Sequence, residues 1–451
     1  MSEPKLRIRE RERFLRVGIH SHIKGLGVRE GEVLPSADGL VGQIEARAAA
    51  HLIVQMIREG KMAGRAVLLA GPPGTGKTAI AVAIARELGE DTPFVAMSGS
   101  EIYSAEMKKT EVLMQAMRKA IGIRIHDFRR IYEGVVKKLN IRYGKHPYNP
   151  YQQIPVGATL TLKTKMEEKT FEVDEYVTGE LLSKGVSEGD VIWIDAESGR
   201  VTKVGRAKEY APSYDIGGVK AVEIPGGTIS KEREFVYTVT LHDLDLMHAR
   251  SGSFLSILFG GREEKEIPSD VRNRVDETVK EWVDTGKAEI IPGVLFVDDV
   301  HMLDIEAFSF LSRAMESELA PIIILASNRG FAKIRGTDTV APHGIPLDLL
   351  DRLLIIETKP YKKDEIREIL QIRAKEEKVD LSEDALEELT NIGVERSLRY
   401  AVQLLTPARI VAQSRGENKV LKEHVEAVRK LFVDVRDSAK YLKEFEESFL
   451  K

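Results

Sequence analysis

The stretch Gly71-Pro72-Pro73-Gly74-Thr75-Gly76-Lys77-Thr78 restricts the fold of this chain more than any other. Its spacing, G-x-x-x-x-G-K-[ST], is that of a loop that wraps phosphate. An apolar run of strand length, Ala66 to Ala70, leads into it, and Ala79 to Ala85 follows as the opening turns of a buried helix. In that setting the glycines let backbone N–H groups turn inward around an anion, and the helix N-terminus adds partial positive charge. Lys77 is placed to reach the β- and γ-phosphates of a nucleoside triphosphate, and the Thr78 hydroxyl to hold Mg²⁺. The bland alternative is a glycine-rich turn with no ligand.

At 451 residues the chain is too long for one ordinary core. Lys and Arg total 67 against 71 Asp and Glu, so no global basic field points to nucleic acid and any such contact must be local. Cysteine is absent, which excludes disulfides and thiolate metal sites. No apolar run reaches the roughly 18 residues of a membrane span, and no signal-peptide pattern opens the chain. The expectation is a soluble cytoplasmic protein, nuclear if eukaryotic, with no membrane partner.

Residues 4–16 mix basic and acidic side chains, as a solvated arm or a nucleic-acid contact would. His20 to Gly27 and Gly39-Leu40-Val41-Gly42-Gln43 are glycine-dense, which suggests backbone passing close to adenine and ribose. Phe94 to Met97 reads as a strand, and Thr110 to Ile121 as a helix with Val112, Leu113, Ala116 and Met117 on one face. The texture changes after about Ile123. A Pro/Gly/Asn breaker cluster fills 143–150, and Ala158 to Thr164 alternates as a half-buried strand should. Short strands at 169–173, 190–194 and 200–204 complete the signature of a small β-barrel or sandwich, inserted because the α/β pattern resumes at about Val236. From Tyr361 the chain is helical, with Ser382 placed as a cap.

Two further apolar strands end in polar residues. Val294 to Asp298 ends in acid, where a carboxylate would bind Mg²⁺; a strand-end helix cap is the alternative. Asp299 beside it is the candidate water-activating base. Pro321 to Asn328 ends in an amide suited to orienting that water, or to a plain turn. Arg352 and Arg399 carry fixed charge suited to a developing phosphoryl charge, although each alone reads as an ordinary surface arginine.

The phosphate loop with Asp298, Asn328, Arg352 and Arg399 resembles an AAA+ ATPase. More narrowly, the blocks 21–27, 61–66, 99–104, 240–245, 300–306, 326–330, 343–352 and 398–407 resemble the RuvB-like ATPases, the Pontin/Reptin family, with an archaeal homologue as the expectation. The resemblance implies an α/β fold: a P-loop NTPase module with a parallel sheet core, an inserted OB-type β-barrel and a C-terminal helical lid. The expected boundaries are 1–123 and 236–360 for the two parts of the core, 124–235 for the insertion and 361–451 for the lid. It implies ATP/ADP and Mg²⁺ as cofactors, Mg²⁺ on Thr78 and Asp298, and nucleotide contacts from residues 71–78, His20 and His22; Gly42 and Gln43 join them from the glycine-dense stretch above. Asn328 becomes sensor 1, Arg352 the finger reaching a neighbouring subunit and Arg399 sensor 2. It also implies a hexameric ring, single or stacked. One departure stands out: the family usually has Asp-Glu-Val-His where this chain has Asp298-Asp299-Val300-His301, so the expected base is one methylene short.

The resemblance leaves two roles open. One is a DNA-linked ring ATPase with DNA helicase activity, binding single- or double-stranded DNA. For that role the insertion offers Tyr143, Tyr148, Tyr151, Phe171 and Trp193, with Lys137, Lys138, Arg142, Lys145 and Lys163 nearby. Phe171 and Trp193 equally suit a barrel core, and interleaved acids weaken a polyanion site. The other role is an ATP-regulated scaffold or chaperone that holds client proteins through 124–235.

Overall fold

The computed structural model describes residue 20 and residues 22–62, 65–89, 91–103, 107–145, 153–210, 221–252, 266–434 and 437–440. The arm at 4–16, Tyr148 and Tyr151 lie outside them. The chain divides into two compact units, one of Met1–Ile123, Val239–Lys280 and Ile290–Lys451, the other of Arg124–Thr238 with Glu281–Glu289.

The first unit begins with α1 (Ile44–Arg58), β1 (Ala66–Ala70), α2 (Lys77–Leu88), β2 (Phe94–Ser98) and α3 (Lys109–Lys119). The second unit takes most of β3 (Ile121–Lys145), then β4 (Gln153–Lys163), β5 (Glu168–Val173), α4 (Glu175–Ser183), β6 (Asp190–Asp195), β7 (Val201–Ala207) and β8 (Ser230–Thr240). The chain returns through α5 (Leu241–Gly252), α6 (Ser269–Asp284), β9 (Ala288–Pro292), β10 (Val294–Asp298), α7 (Ile305–Ala314), β11 (Ile322–Ser327) and β12 (Leu353–Glu357). It ends in helices α8 (Lys363–Glu376), α9 (Glu383–Glu395), α10 (Leu398–Gln403), α11 (Leu405–Ser414) and α12 (Lys422–Leu431).

The core sheet is parallel, in the order β12-β1-β11-β10-β2. Its strands read as unbroken apolar runs because both faces are covered by helices. In β1, Leu68 packs with Leu113 and Met117 of α3 and Phe308 of α7, while Val67 and Leu69 face Ile53 of α1 and Ile80 and Ile84 of α2. Each fully buried Leu or Ile contributes about 1.5–3 kcal/mol. With every strand running the same way, the C-terminal ends of β1, β10 and β11 open on one edge. The register sets Ser327 beside Ala70 and Asp298 beside Ser98. Residues just past these strands therefore meet there, whatever their separation along the chain.

The terminal helices bury Leu370, Leu389, Leu404 and Leu405 in a core of their own. Ser382 caps α9, accepting the amide of Ala385 at 3.2 Å.

The second unit is built on β3, which pairs antiparallel with both β4 and β6; β4 continues to β5 and β6 to β7. Three strands, a helix and two strands, β3 to β7, is the chain order of an OB-type fold, and β8 follows as a further strand that pairs with β3. Its core is Val136, Leu160, Leu162, Leu181, Ile192 and Ile194. Phe171 packs on that core beside Tyr132. Trp193 is half-buried away from it, 5.4 Å from the Phe235 ring with the Arg233 guanidinium 6.0 Å from its centre. Residues 281–289, which the sequence placed in the core, belong here because the chain returns along β3: the His126 amide donates to the Lys287 carbonyl at 2.8 Å and β9 pairs with β3. Among the described residues no helix is long and apolar enough to cross a membrane.

Candidate nucleotide site

The phosphate loop leaves β1 at Gly71 and enters α2 at Lys77. A Cβ on Gly71 would lie 2.2 Å from the Thr358 hydroxyl, so the loop can cross the end of β12 only as glycine. Gly76 has φ 84°, and a Cβ there would lie 2.4 Å from the Tyr361 hydroxyl. Thr75 is buried and anchors the loop, donating to the Pro72 carbonyl at 2.9 Å and sharing a 2.6 Å hydrogen bond with Thr358.

Lys77 is also buried. Its Nζ donates to the carbonyls of Gly71 at 2.9 Å and Pro72 at 2.8 Å. Burial, with Arg399 adding to it, lowers this ammonium from the usual lysine value against the pull of Asp298 and Asp299. An ammonium held out of water at the N-terminus of a helix fits a polyanionic ligand, because a phosphate would supply negative charge to pair with it.

A cavity of about 830 Å³ opens in front of the loop. Pro73, Gly74, Gly76, Lys77 and Thr78 line it, with Asp298 ending β10 and Asp299 just past it, Asn328 after β11 and Arg399 from α10. His20 and His22 line it as well, their rings 6.4 Å apart. Burial first, then His22 and Arg373, pushes the His20 pKa down to about 4, so this imidazole is neutral at physiological pH. Burial and Arg373 also lower His22.

The carboxylates at the end of β10 are held by the backbone. Asp298 accepts the Asp299 amide at 2.9 Å, and Asp299 sits in the left-handed region at φ 48°, ψ 47°. Asp tolerates that conformation better than most residues. Asn328 Nδ2 donates to Asp299 Oδ1 at 3.2 Å, so two residues predicted from separate strand ends touch.

Outside the phosphate loop, three predicted positions do not line the cavity. Gln43 does not line the cavity, because its amide bridges to the Lys359 backbone, donating to the carbonyl at 2.5 Å and accepting the N–H at 3.1 Å. Gly42 packs where a Cβ would meet the Glu365 carboxylate at 2.2 Å. Gly39, Leu40 and Val41 line the cavity in their place. Arg352 is at the other edge of the sheet: Leu353 is level with Ala66, the first residue of β1, and the Arg352 guanidinium donates to Glu316 at 2.5 Å. Five strand residues at about 3.3 Å each put roughly 16 Å between that position and the phosphate loop.

Apart from Arg399, the sequence did not reveal what the lid contributes. Tyr361, Ile369, Arg373, Glu377, Leu398 and Thr406 also line the cavity. Arg373 and Thr406 both donate to the Glu377 carboxylate, at 2.5 and 2.9 Å. Burial pushes the Tyr361 hydroxyl up to about 12. Nor did Arg47 stand out, since an arginine inside a helix reads as exposed. It is fully buried, and its guanidinium donates to the carbonyls of Leu26, Gly27, Leu34, Pro35 and Gly42. That holds the segment carrying Gly39, Leu40 and Val41 against α1.

A parallel sheet with a phosphate loop after its second-from-edge strand, acids and an amide on neighbouring strand ends, and an arginine arriving from a helical lid define an AAA+ P-loop ATPase. A profile described as the TIP49 P-loop domain matches residues 16–364, and one described as the TIP49 AAA-lid domain matches 369–434. The chain belongs to the TIP49 family, the RuvB-like ATPases of the Pontin/Reptin type.

Proposed function

We propose that this chain hydrolyses ATP to ADP and phosphate at an interface between its own copies, as a ring that acts on DNA. The observation that supports the ring is the place of Arg352. It lies beyond reach of the phosphate loop of its own chain, which favours a finger that acts on the site of a second copy.

Thr78 and Asp298 are hard oxygen donors on the cavity wall, the chemistry Mg²⁺ selects. Bound there, the ion would neutralise charge on the phosphates. Lys77 and the loop amides would hold the β- and γ-phosphates, Asn328 would orient the attacking water and Asp299 would accept its proton. Arg399, from the lid, would complete the positive surround. His20 and His22, uncharged, would close the base end of the cavity.

A DNA-linked role draws on the second unit, where Phe128 and Tyr143 are exposed, Arg130 is exposed beside Phe128, and Trp193 carries Arg233 on its face. A scaffold or chaperone for protein complexes is favoured by a different observation. Lys137 is paired with Glu168 at 2.7 Å and Arg142 with Glu172 at 3.8 Å, so part of the basic charge expected for a polyanion is already neutralised. Replacing 124–238 by a short Gly/Ser linker separates the two. The shortened chain is expected to bind nucleotide within about twofold of the parent and to lose most single-stranded DNA affinity, measured at fixed salt. Full DNA affinity in a folded deletion would move that site to the first unit; absence of DNA binding in the parent would leave the scaffold role.

The shorter base gives a further expectation. Asp299→Glu is expected to raise kcat about tenfold with nucleotide Kd unchanged, because roughly 1 Å in the reach of a general base changes rate on that scale. The glutamate must adopt the left-handed backbone of Asp299, so a slightly lower Tm should accompany the gain. An unchanged or lower kcat would mean that Asp299 already reaches the water.

A further inference from the structure

The block Gly99 to Ser104 carries part of the family resemblance, yet none of its described residues, 99–103, lines the nucleotide cavity. Its place in the fold gives it another use. β2 and β10 are parallel neighbours in register, Ser98 level with Asp298, and each leads into a short 3₁₀ turn, Gly99–Ile102 directly after one and Val300–Met302 past Asp299 after the other. The first turn is fixed by its own capping box: Ser98 accepts the Ser100 amide and Glu101 accepts the Ser98 amide. Ile102 and Val300 are both fully buried beneath the pair.

The two turns meet at Gly99. A Cβ there would lie 2.7 Å from the carbonyl oxygen of Asp299 and 3.4 Å from Met302 Cβ. Gly99 has no left-handed φ, so its backbone would accept any residue; only the space requires glycine. The carbonyl that fills this space belongs to the residue whose left-handed turn aims its carboxylate at Asn328. The same carbonyl accepts the Met302 amide at 2.8 Å. The far end of that turn is held too. The Tyr103 hydroxyl donates to the Met302 carbonyl at 3.1 Å, and Arg335 lies 4.3 Å from the centre of the Tyr103 ring.

We propose that Gly99 is a positioning residue for ATP hydrolysis: the empty place of its side chain seats the Asp299 carbonyl, and Tyr103 holds the other end of the same turn, so that the Asp299 carboxylate faces the cavity. This rests on the reading of Asp299 as the base. Filling the seat pushes the Asp299 backbone by several tenths of an ångström or more, since real Cβ atoms do not approach a carbonyl oxygen at 2.7 Å. The phosphate loop is on another strand and keeps its geometry.

The test is a double-mutant cycle of Gly99→Ala with Asp299→Asn in the full chain, reading kcat and the Kd for a fluorescent ADP analogue. Gly99→Ala alone is expected to lower kcat about 10- to 100-fold with Kd within twofold. In the Asp299→Asn background, assayed at high enzyme concentration, it should lower kcat no further. A full kcat for Gly99→Ala, or a loss that multiplies with that of Asp299→Asn, would overturn the proposal. Tyr103→Phe keeps the ring and removes one hydrogen bond, and decides the matter if Gly99→Ala does not fold. A fall in kcat of about threefold that vanishes in the Asp299→Asn background supports the proposal, and an unchanged kcat overturns it. Wild-type turnover by Asp299→Asn itself would instead remove the base assignment, a distinct result.

Discussion

An Arg352→Ala chain is expected to lose ATP turnover by about 10³-fold or more, while its affinity for nucleotide stays that of the parent. Arg352 precedes β12 at the edge of the sheet where β1 begins, and the phosphate loop follows β1 at the opposite edge. Its guanidinium rests on Glu316, half exposed, and makes no wall of the cavity in its own chain. Binding by one chain should therefore be indifferent to it, and hydrolysis in a neighbour should not. Mixed with Lys77→Ala subunits, Arg352→Ala subunits should regain activity, because some interfaces then contain an intact loop from one chain and an intact arginine from the next. If labelled subunits exchange freely and the mixture hydrolyses ATP no faster than either parent, the arginine does not act across an interface.

Lys77→Ala should abolish turnover and weaken nucleotide binding about 10- to 100-fold, the worth of one or two hydrogen bonds from a charged donor. It should not unfold the protein. Without nucleotide the Lys77 ammonium is held in a desolvated position by two backbone carbonyls, an arrangement that contributes little to stability. Isothermal titration with ADP and thermal melting of the apo protein check the two halves of the prediction. A well-folded Lys77→Ala chain that turns ATP over at the parental rate would take the active site away from this loop.

The difference between these residues and the rest of the site shows what a sequence makes legible. Lys77, Thr78, Asp298 and Asn328 each come after an apolar run, and parallel strands carry the residues at their C-terminal ends to one edge. Reading the strands was therefore enough to bring these residues together. The lid residues carry no such signal. Arg373 and Glu377 are four apart on a polar helix and look like a solvated ion pair; only the fold turns them toward the cavity. Gln43 and Gly42 misled for a related reason, since glycine density shows that backbone passes close to something without saying what. There it is Glu365 and the Lys359 backbone. β3 escaped notice because residues 121–145 are charged at many exposed positions, and β9 because its partner is more than a hundred residues upstream.

Arg47 has a dynamic consequence. Five carbonyls from residues 26–42 end on one guanidinium. A Cβ on Gly27 would lie 2.2 Å from it, so the chain is wrapped tightly around the charge. Such a segment cannot loosen one residue at a time, because each freed carbonyl would leave the cation partly unsatisfied in a place that water does not reach. It opens as a whole or stays shut. In hydrogen exchange, the amides of Lys24, Leu34 and Gly42, each bonded to a carbonyl of this segment, should share one opening free energy despite their separation along the chain. One wall of the nucleotide cavity then behaves as a hinged plate rather than a fringe of loops.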